Sequence, residues 1–336
     1  MNRRFVLASR PTGAPSEDNF RLDRVAVPEL APGQVLVRHH YLSLDPYMRG
    51  RMSDQKSYAP PQPLNEVMLG GTVGEVVASQ AASFAVGDHV SGAGGWQEYS
   101  VVNAEVPGAL RKIDTAQIPM AAYLGAVGMP GITAWIGLHL ICEPKPGETL
   151  VVSAASGAVG SVVGQLAKAR GCRVIGVAGG KDKCDYVTGE LGFDACLDYK
   201  AVRDVEAFGA ELRKAAPAGI DGYFENVGGM VLEAVMRQMN AFGRIAVCGM
   251  ISSYNGTPQP IARPDLILTA RLKIQGFIVS EHLPLWAAAR TELAAGVAAG
   301  AIKYRETIAD GLDRAPSAFL GLLQGKNFGK QLVKLV

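Results

Sequence analysis

The chain has no cysteine before Cys142, no Cys-x-x-Cys pair, no run of eighteen apolar residues and no block of like charge. Each absence removes a class of protein. Its five cysteines (Cys142, Cys172, Cys184, Cys196 and Cys248) are odd in number and scattered, so they imply neither a disulfide framework nor the ligand spacing of a structural zinc site. A reduced, cytoplasmic setting is the expectation. Without a long apolar stretch no membrane span is expected. The start, Met1-Asn2-Arg3-Arg4-Phe5, carries two arginines but no apolar core of signal-peptide length. Lys and Arg number 33 against 31 Asp and Glu, a net charge of +2, which argues against a nucleic-acid partner. Histidine is scarce as well. His39 and His40 are adjacent and so point to opposite faces of a strand, while His89, His139 and His282 stand alone.

What is present suits a globular enzyme: 336 residues, 48% hydrophobic and 19% charged, with 40 glycines and 19 prolines. That length accommodates two domains. The first 120 residues read as β-rich, with candidate strands at Gln34–His40, Gly71–Val77, Gly87–Val90 and Gln97–Val102 punctuated by glycine. Short strands of this kind suggest a small, partly closed barrel. From about Met120 the texture changes to Ala-rich helical stretches alternating with apolar runs, at Leu150–Ser153, Arg173–Ala178, Ala195–Tyr199, Gly222–Val227, Arg244–Gly249 and Leu272–Phe277. Such alternation predicts a doubly wound parallel sheet. The closing Lys330–Val336 reads as a strand that returns to the first domain. The expected division is therefore residues 1–120 with 301–336 as a substrate domain, and 121–300 as a dinucleotide-binding domain.

The densest signal runs from Leu150 to Lys183. An apolar strand leads into the turn Ala154-Ala155-Ser156-Gly157-Ala158-Val159-Gly160. A helix carrying Val163, Leu166 and Ala167 follows, from about Val159 to Arg170, and Gly171 closes it. Small residues let backbone approach a pyrophosphate, and the helix N-terminus adds N–H groups and partial positive charge. The same glycine pattern alone also suits a βαβ unit that binds nothing. About twenty residues further on, an NAD site would carry an acid for the ribose 2′-hydroxyl. This chain reads Gly179-Gly180-Lys181 there, with Lys183 just beyond. A carboxylate repels a 2′-phosphate and an ammonium attracts it, so NADPH is the expected cofactor.

Six segments carry a resemblance to a known family: Leu42-Ser43-Leu44-Asp45-Pro46-Tyr47-Met48-Arg49-Gly50-Arg51-Met52, Ala155–Ser161, Glu225-Asn226-Val227-Gly228-Gly229, Cys248–Asn255, Gln275–Val279 and Gly325-Lys326-Asn327-Phe328-Gly329-Lys330. In this order, over nearly the whole chain, they resemble the zinc-free medium-chain dehydrogenase/reductases, in the branch of prostaglandin and alkenal double-bond reductases, with bacterial curcumin reductase-like members most similar. The resemblance implies a Rossmann-type domain beside a GroES-like, partly closed barrel domain, and a homodimer. Zinc-dependent members carry an early cysteine ligand and a Gly-His-Glu motif. That place reads Leu69-Gly70-Gly71-Thr72 here, so no metal is expected.

The resemblance also implies the chemistry: NADPH-dependent reduction of the carbon–carbon double bond of an α,β-unsaturated ketone or aldehyde. Hydride goes to the β-carbon, and a hydroxyl donor stabilises the enolate. A quinone reductase and an NADP-linked secondary alcohol dehydrogenase are the alternatives. Tyr254 is the expected donor, although it would equally cap a loop beside Pro258 and Pro260. Tyr47 is expected at the substrate, or else as a buried aromatic bonding backbone; Arg49 and Arg51 would meet a carboxylated substrate or else be solvated or salt-bridged. For the cofactor, the resemblance places Gly157, Ala158, Val159 and Gly160 at the pyrophosphate, and Lys183 and Tyr199 at the 2′-phosphate. Asn226, Cys248, Gly249, Ile251, Ser252, Tyr254, Phe277, Ile278, Val279 and Asn327 are placed along the rest. Lys181 either assists or faces water.

Overall fold

A computed structural model of the chain describes residues 1–256 and 259–336. The chain forms two compact units, Met1–Leu124 with Glu306–Val336, and Gly125–Arg305.

In the first unit, β1 (Asn2–Leu7) pairs antiparallel with β2 (Phe20–Val25). A larger sheet is built around β3 (Gln34–Ser43), which pairs antiparallel with β4 (Thr72–Ser79). β4 continues to β5 (His89–Gly92), while β6 (Tyr99–Asn103) lies against β3 and β7 (Leu110–Lys112) against β5. Val35, Val37 and His39 of β3 alternate inward, the period-2 pattern of a half-buried strand. The β3–β4 register shifts beside His39, and a side chain at Gly74 would come within 2.0 Å of the Arg38 carbonyl oxygen. Glycine is obligatory at that close approach. The core here centres on Trp96, fully buried, stacked on Phe20 at 5.1 Å and edge-on to Phe319 at 5.6 Å.

The second unit holds β8 (Thr149–Ser153), β9 (Arg173–Ala178), β10 (Ala195–Asp198), β11 (Ile220–Glu225), β12 (Met239–Val247) and β13 (Lys273–Gly276). All pair in parallel, in the order β10-β9-β8-β11-β12-β13. This is the doubly wound, Rossmann-type arrangement. Every residue of β8 is buried, as expected of a central strand covered on both faces. The order in which successive strands are laid down reverses between β8 and β11, so the loops after them flank the crevice in which such sheets bind ligands. The apolar run Leu272–Phe277 forms a shorter strand than its composition suggests. β13 ends at Gly276 because Phe277 turns inward, edge-on to Phe224 at 6.2 Å.

The chain then re-enters the first unit as β14 (Glu306–Asp310) and β15 (Lys330–Lys334), with β15 antiparallel to β3. β14 runs parallel to β15, through the connecting helix Ala315–Leu323. Among the described residues no helix is long and apolar enough to cross a membrane.

Candidate active site

The loop after β8 is shaped by one close approach. Ala154 adopts a left-handed conformation (φ 49°), and the Gly157 N–H donates back to its carbonyl at 2.8 Å. A Cβ on Gly160 would lie 2.4 Å from that same carbonyl oxygen, so only glycine lets the helix Gly160–Ala169 begin against the strand end. Val159 at the N-cap supplies no side-chain cap. The first-turn N–H groups beside Gly157, Ala158, Val159 and Gly160 therefore end in a cradle of glycine and small side chains, with the positive end of the helix behind it.

A hydrogen-bonded patch ties the loops after β11 and β12 to this cradle. Asn226 donates its backbone N–H to Ser153 Oγ and its side-chain amide to the Ser153 carbonyl, both at 2.8 Å. Ser153 in turn donates to Glu225 Oε1 at 2.9 Å, and the Val227 N–H donates to that oxygen at 2.5 Å. Burial pushes the Glu225 carboxyl above its usual pKa, while the amides of Val227 and Gly228 pull the other way. Cys248 and Gly249 donate to the Glu225 carbonyl at 2.9 and 3.2 Å, Ile251 to that of Asn226, and Ser252 to that of Val227. Burial holds the Cys248 thiol protonated, its pKa pushed up to about 12. The Tyr254 hydroxyl folds onto the same loop. It accepts from the Met250 N–H at 3.4 Å and lies 3.0 Å from where a Cβ on Gly249 would stand. Pro258, invoked in the loop-cap alternative, lies outside the described residues.

At the far end of the crevice, the edge of β9 opens into Gly179 and Gly180, and the helix Lys181–Gly189 follows. Gly180 (φ 100°) donates its N–H to Asp198 Oδ1 at 2.8 Å, and the Lys200 N–H donates to the same oxygen at 2.9 Å. Tyr199 and the Lys200 stem pack so closely on Gly179 that a Cβ there would lie 2.9 Å from each. Lys183 is half-buried; burial, and then the Lys200 ammonium, lower its pKa. The structure therefore sets two cations beside the Gly179-Gly180 backbone. The sequence reading missed Lys200, whose signal was its position directly after Tyr199. Lys181 is 83% exposed in its side chain and pairs with Asp185 at 2.5 Å.

Phe277 is buried, and Ile278 and Val279 follow it half-buried, beyond the end of β13. Tyr47 and Asn327 belong to the other unit. There, a buried Asp45–Lys330 pair at 2.7 Å fixes the turn into the short helix Tyr47–Arg51. Burial, and then the Asp45 charge, raise the Tyr47 phenol. Arg49, buried, donates to the Gly13 carbonyl at 2.7 Å. Asn327 donates to the Gly329 carbonyl at 2.7 Å and shares an open groove with Thr307, Arg314 and Lys326.

Family models describe the two halves of the chain in the same terms. The N-terminal domain of oxidoreductase matches residues 3–110, and zinc-binding dehydrogenase matches residues 158–295. The chain is 49% identical to an NADPH-dependent curcumin reductase of Escherichia coli (strain K12), over 99% of this chain and 97% of that protein. The chain belongs to the medium-chain dehydrogenase/reductase family. Another member, a 2-alkenal reductase (NADP(+)-dependent) of Nicotiana tabacum, is 41% identical over 99% of this chain and 97% of its own. The crystal structure of CurA in complex with NADPH from Vibrio vulnificus matches with a TM-score of 0.92 and 48% identity, over 99% of each chain. Zinc-binding medium-chain dehydrogenases hold their metal through clustered Cys, His and acidic ligands. Here the Gly-His-Glu place reads Leu69-Gly70-Gly71-Thr72, and among the described residues no three His, Cys, Asp or Glu side chains are grouped to hold an ion. Zinc does not fit this donor set.

Proposed function

We propose that the protein reduces the carbon–carbon double bond of α,β-unsaturated ketones or aldehydes. It is an NADP-dependent oxidoreductase, and relatives named for curcumin and 2-alkenal reduction support the enone class. The observation that carries the reading is the pair Lys183 and Lys200 beside Gly179, where a 2′-phosphate meets two ammonium groups and the Tyr199 ring. The cofactor is NADPH. Gly157, Ala158, Val159 and Gly160 take its pyrophosphate, and Asn226, with Phe277, Ile278 and Val279, goes with its nicotinamide half. NADPH, when bound, supplies the hydride that goes to the β-carbon.

The residues of the chain then manage the charge that remains. As the carbonyl oxygen becomes an enolate, Tyr254 shares its phenolic proton with it. The Met250 N–H, donating to the Tyr254 oxygen, strengthens that phenol as a donor. Cys248, Gly249, Ile251 and Ser252 hold the loop that positions Tyr254. Tyr47 lines the substrate, and protonation at the α-carbon completes the reduction. A homodimer in the cytoplasm goes with this reading, tested by light scattering and cell fractionation.

A substrate panel with NADPH consumption as readout tests it. A linear enone should be turned over to its saturated ketone. Turnover of benzoquinone alone, or oxidation of a secondary alcohol with NADP+ in place of enone reduction, would overturn it.

A further inference from the structure

The turn that presents Tyr47 is held by charges buried inside the first unit. The side chains of Asp45 and Lys330 are only 7% and 4% exposed, and Lys330 Nζ donates to Asp45 Oδ1 at 2.7 Å. The same ammonium donates to the Leu44 carbonyl, also at 2.7 Å. The Ser43 hydroxyl donates to Asp45 Oδ2, so both carboxylate oxygens are engaged. The partners come from opposite ends of the sequence. Leu332 of β15 lies opposite Ser43 of β3, and two positions further along that antiparallel register Lys330 stands across from Asp45. The Leu44 N–H donates to the Gln331 carbonyl at 3.2 Å, which holds the register where the strands part. Asp45 also anchors the short helix Tyr47–Arg51. Its carbonyl accepts from the Met48 N–H at 3.1 Å, and Pro46 at the N-cap offers no side-chain cap. Met48 and Met52 are fully buried, and Tyr47 packs partly against the same core.

We infer that Asp45 and Lys330 are positioning residues for the reduction: together they set Tyr47 at the substrate and act on the reaction through it. This rests on the placing of Tyr47 at the substrate. The stability of the fold alone does not call for such a pair. Apolar side chains of similar volume stabilise a buried site as well or better, while either charge by itself is costly there. What the pair supplies, and apolar packing does not, is direction. One nitrogen holds the Leu44 carbonyl and the Asp45 carboxylate at the same short distance, and the Ser43 hydroxyl fixes the rotation of that carboxylate. Tyr47 follows Asp45 by two residues, across a proline whose φ is locked. A displacement of Asp45 is therefore passed on to the Tyr47 ring with little loss. Catalytic rates are sensitive to such shifts, because reacting groups must meet within a fraction of an ångström of the productive geometry.

A double-mutant cycle on the full-length enzyme provides the test. Asp45→Asn combined with Lys330→Met removes both charges and nearly keeps the volume. Its thermal unfolding should lie closer to wild type than that of Lys330→Met alone, which strands a buried carboxylate. At saturating NADPH its kcat/KM for a linear enone should nevertheless fall by about 10–100-fold, with the NADPH Kd unchanged. In a Tyr47→Ala background the same two substitutions should cost little more, because the group they position is gone. A stable double variant with wild-type kcat/KM, or losses that add to that of Tyr47→Ala, would sink the inference. If the charge-free variant does not fold, Ser43→Ala replaces it in the cycle, since it releases Asp45 Oδ2 and leaves the ion pair in place. It should lower kcat/KM several-fold in the wild-type background and not in Tyr47→Ala; an absent or additive effect counts against the pair. Tyr47→Ala by itself separates the two readings. Wild-type kinetics there would remove Tyr47 from the substrate, whereas a loss there with additive losses from the pair would strike the positioning role alone.

Discussion

Lys181 and Lys183 stand two residues apart on one helix and have opposite surroundings. Lys181 projects into water and is neutralised by Asp185 one turn on, whereas Lys183 is half-buried and has the Lys200 ammonium near it. Two ammonium groups near one another repel, and a dianionic phosphate bound beside them is attracted to both. Lys183→Glu should therefore raise the NADPH KM by on the order of 10–100-fold while changing the NADH KM little; equal effects on the two cofactors would refute the assignment. Tyr254 is set differently, its oxygen already accepting from a backbone amide. Tyr254→Phe keeps the ring and deletes the proton. It should lower kcat by on the order of 10–100-fold with a small change in substrate KM, the pattern of a group that acts in the transition state. Steady-state kinetics with an enone and saturating NADPH check this.

At the scale of elements, the helix Gly160–Ala169 carries a glycine in its middle that costs helix stability in isolation. Tertiary packing overrides that cost. A Cβ on Gly164 would come within 1.8 Å of the Phe193 ring, so the helix seats on Phe193 only because the position is bare. Gly164→Ala should therefore destabilise the protein by about 1–3 kcal/mol despite the better helix propensity of alanine, which thermal or urea unfolding will show. β3 supplies a pH-dependent case. His39 is buried, its Nε2 paired with Ser100 Oγ at 2.8 Å, and burial lowers its pKa to about 3. An unfolded histidine titrates near 6.5, so below that pH the unfolded chain binds the extra proton and the folded one does not. Stability is therefore fully present above pH 6.5 and is lost progressively as pH falls toward 3. At pH 5 this residue should have withdrawn about 2 kcal/mol. Urea midpoints at pH 7 and 5 should differ accordingly, and His39→Gln should shrink the difference.

For the molecule as a whole, the donor set predicts that a chelator leaves turnover intact. Activity lost to chelation and restored by zinc would overturn that. Much of the architecture was legible because it is written in local patterns. Continuous apolar runs separated by helical stretches can only be buried as a parallel, two-faced sheet, and β8 and β9 fall where those runs lie. Glycine-punctuated alternating strands made the antiparallel sheet equally readable. What failed to show lies in contacts between segments remote in sequence. The parallel pairing of β14 with β15, the early end of β13 at Phe277 and the approach of Lys200 to Lys183 are of this kind.

The six strands of the parallel sheet, the glycine turn at Gly157–Gly160 and the missing acid after β9 were determined by the sequence alone, because each depends on residues within a few positions of one another, and the family was legible from six such short segments kept in order along the chain. Tertiary structure alone decided that Glu225 and Ser153 tie the loops of β8, β11 and β12 into one patch, and that Lys200 joins Lys183. Those neighbours are chosen by how the helices pack onto the sheet, which is set by shape complementarity across the whole core and leaves no periodic trace in the chain.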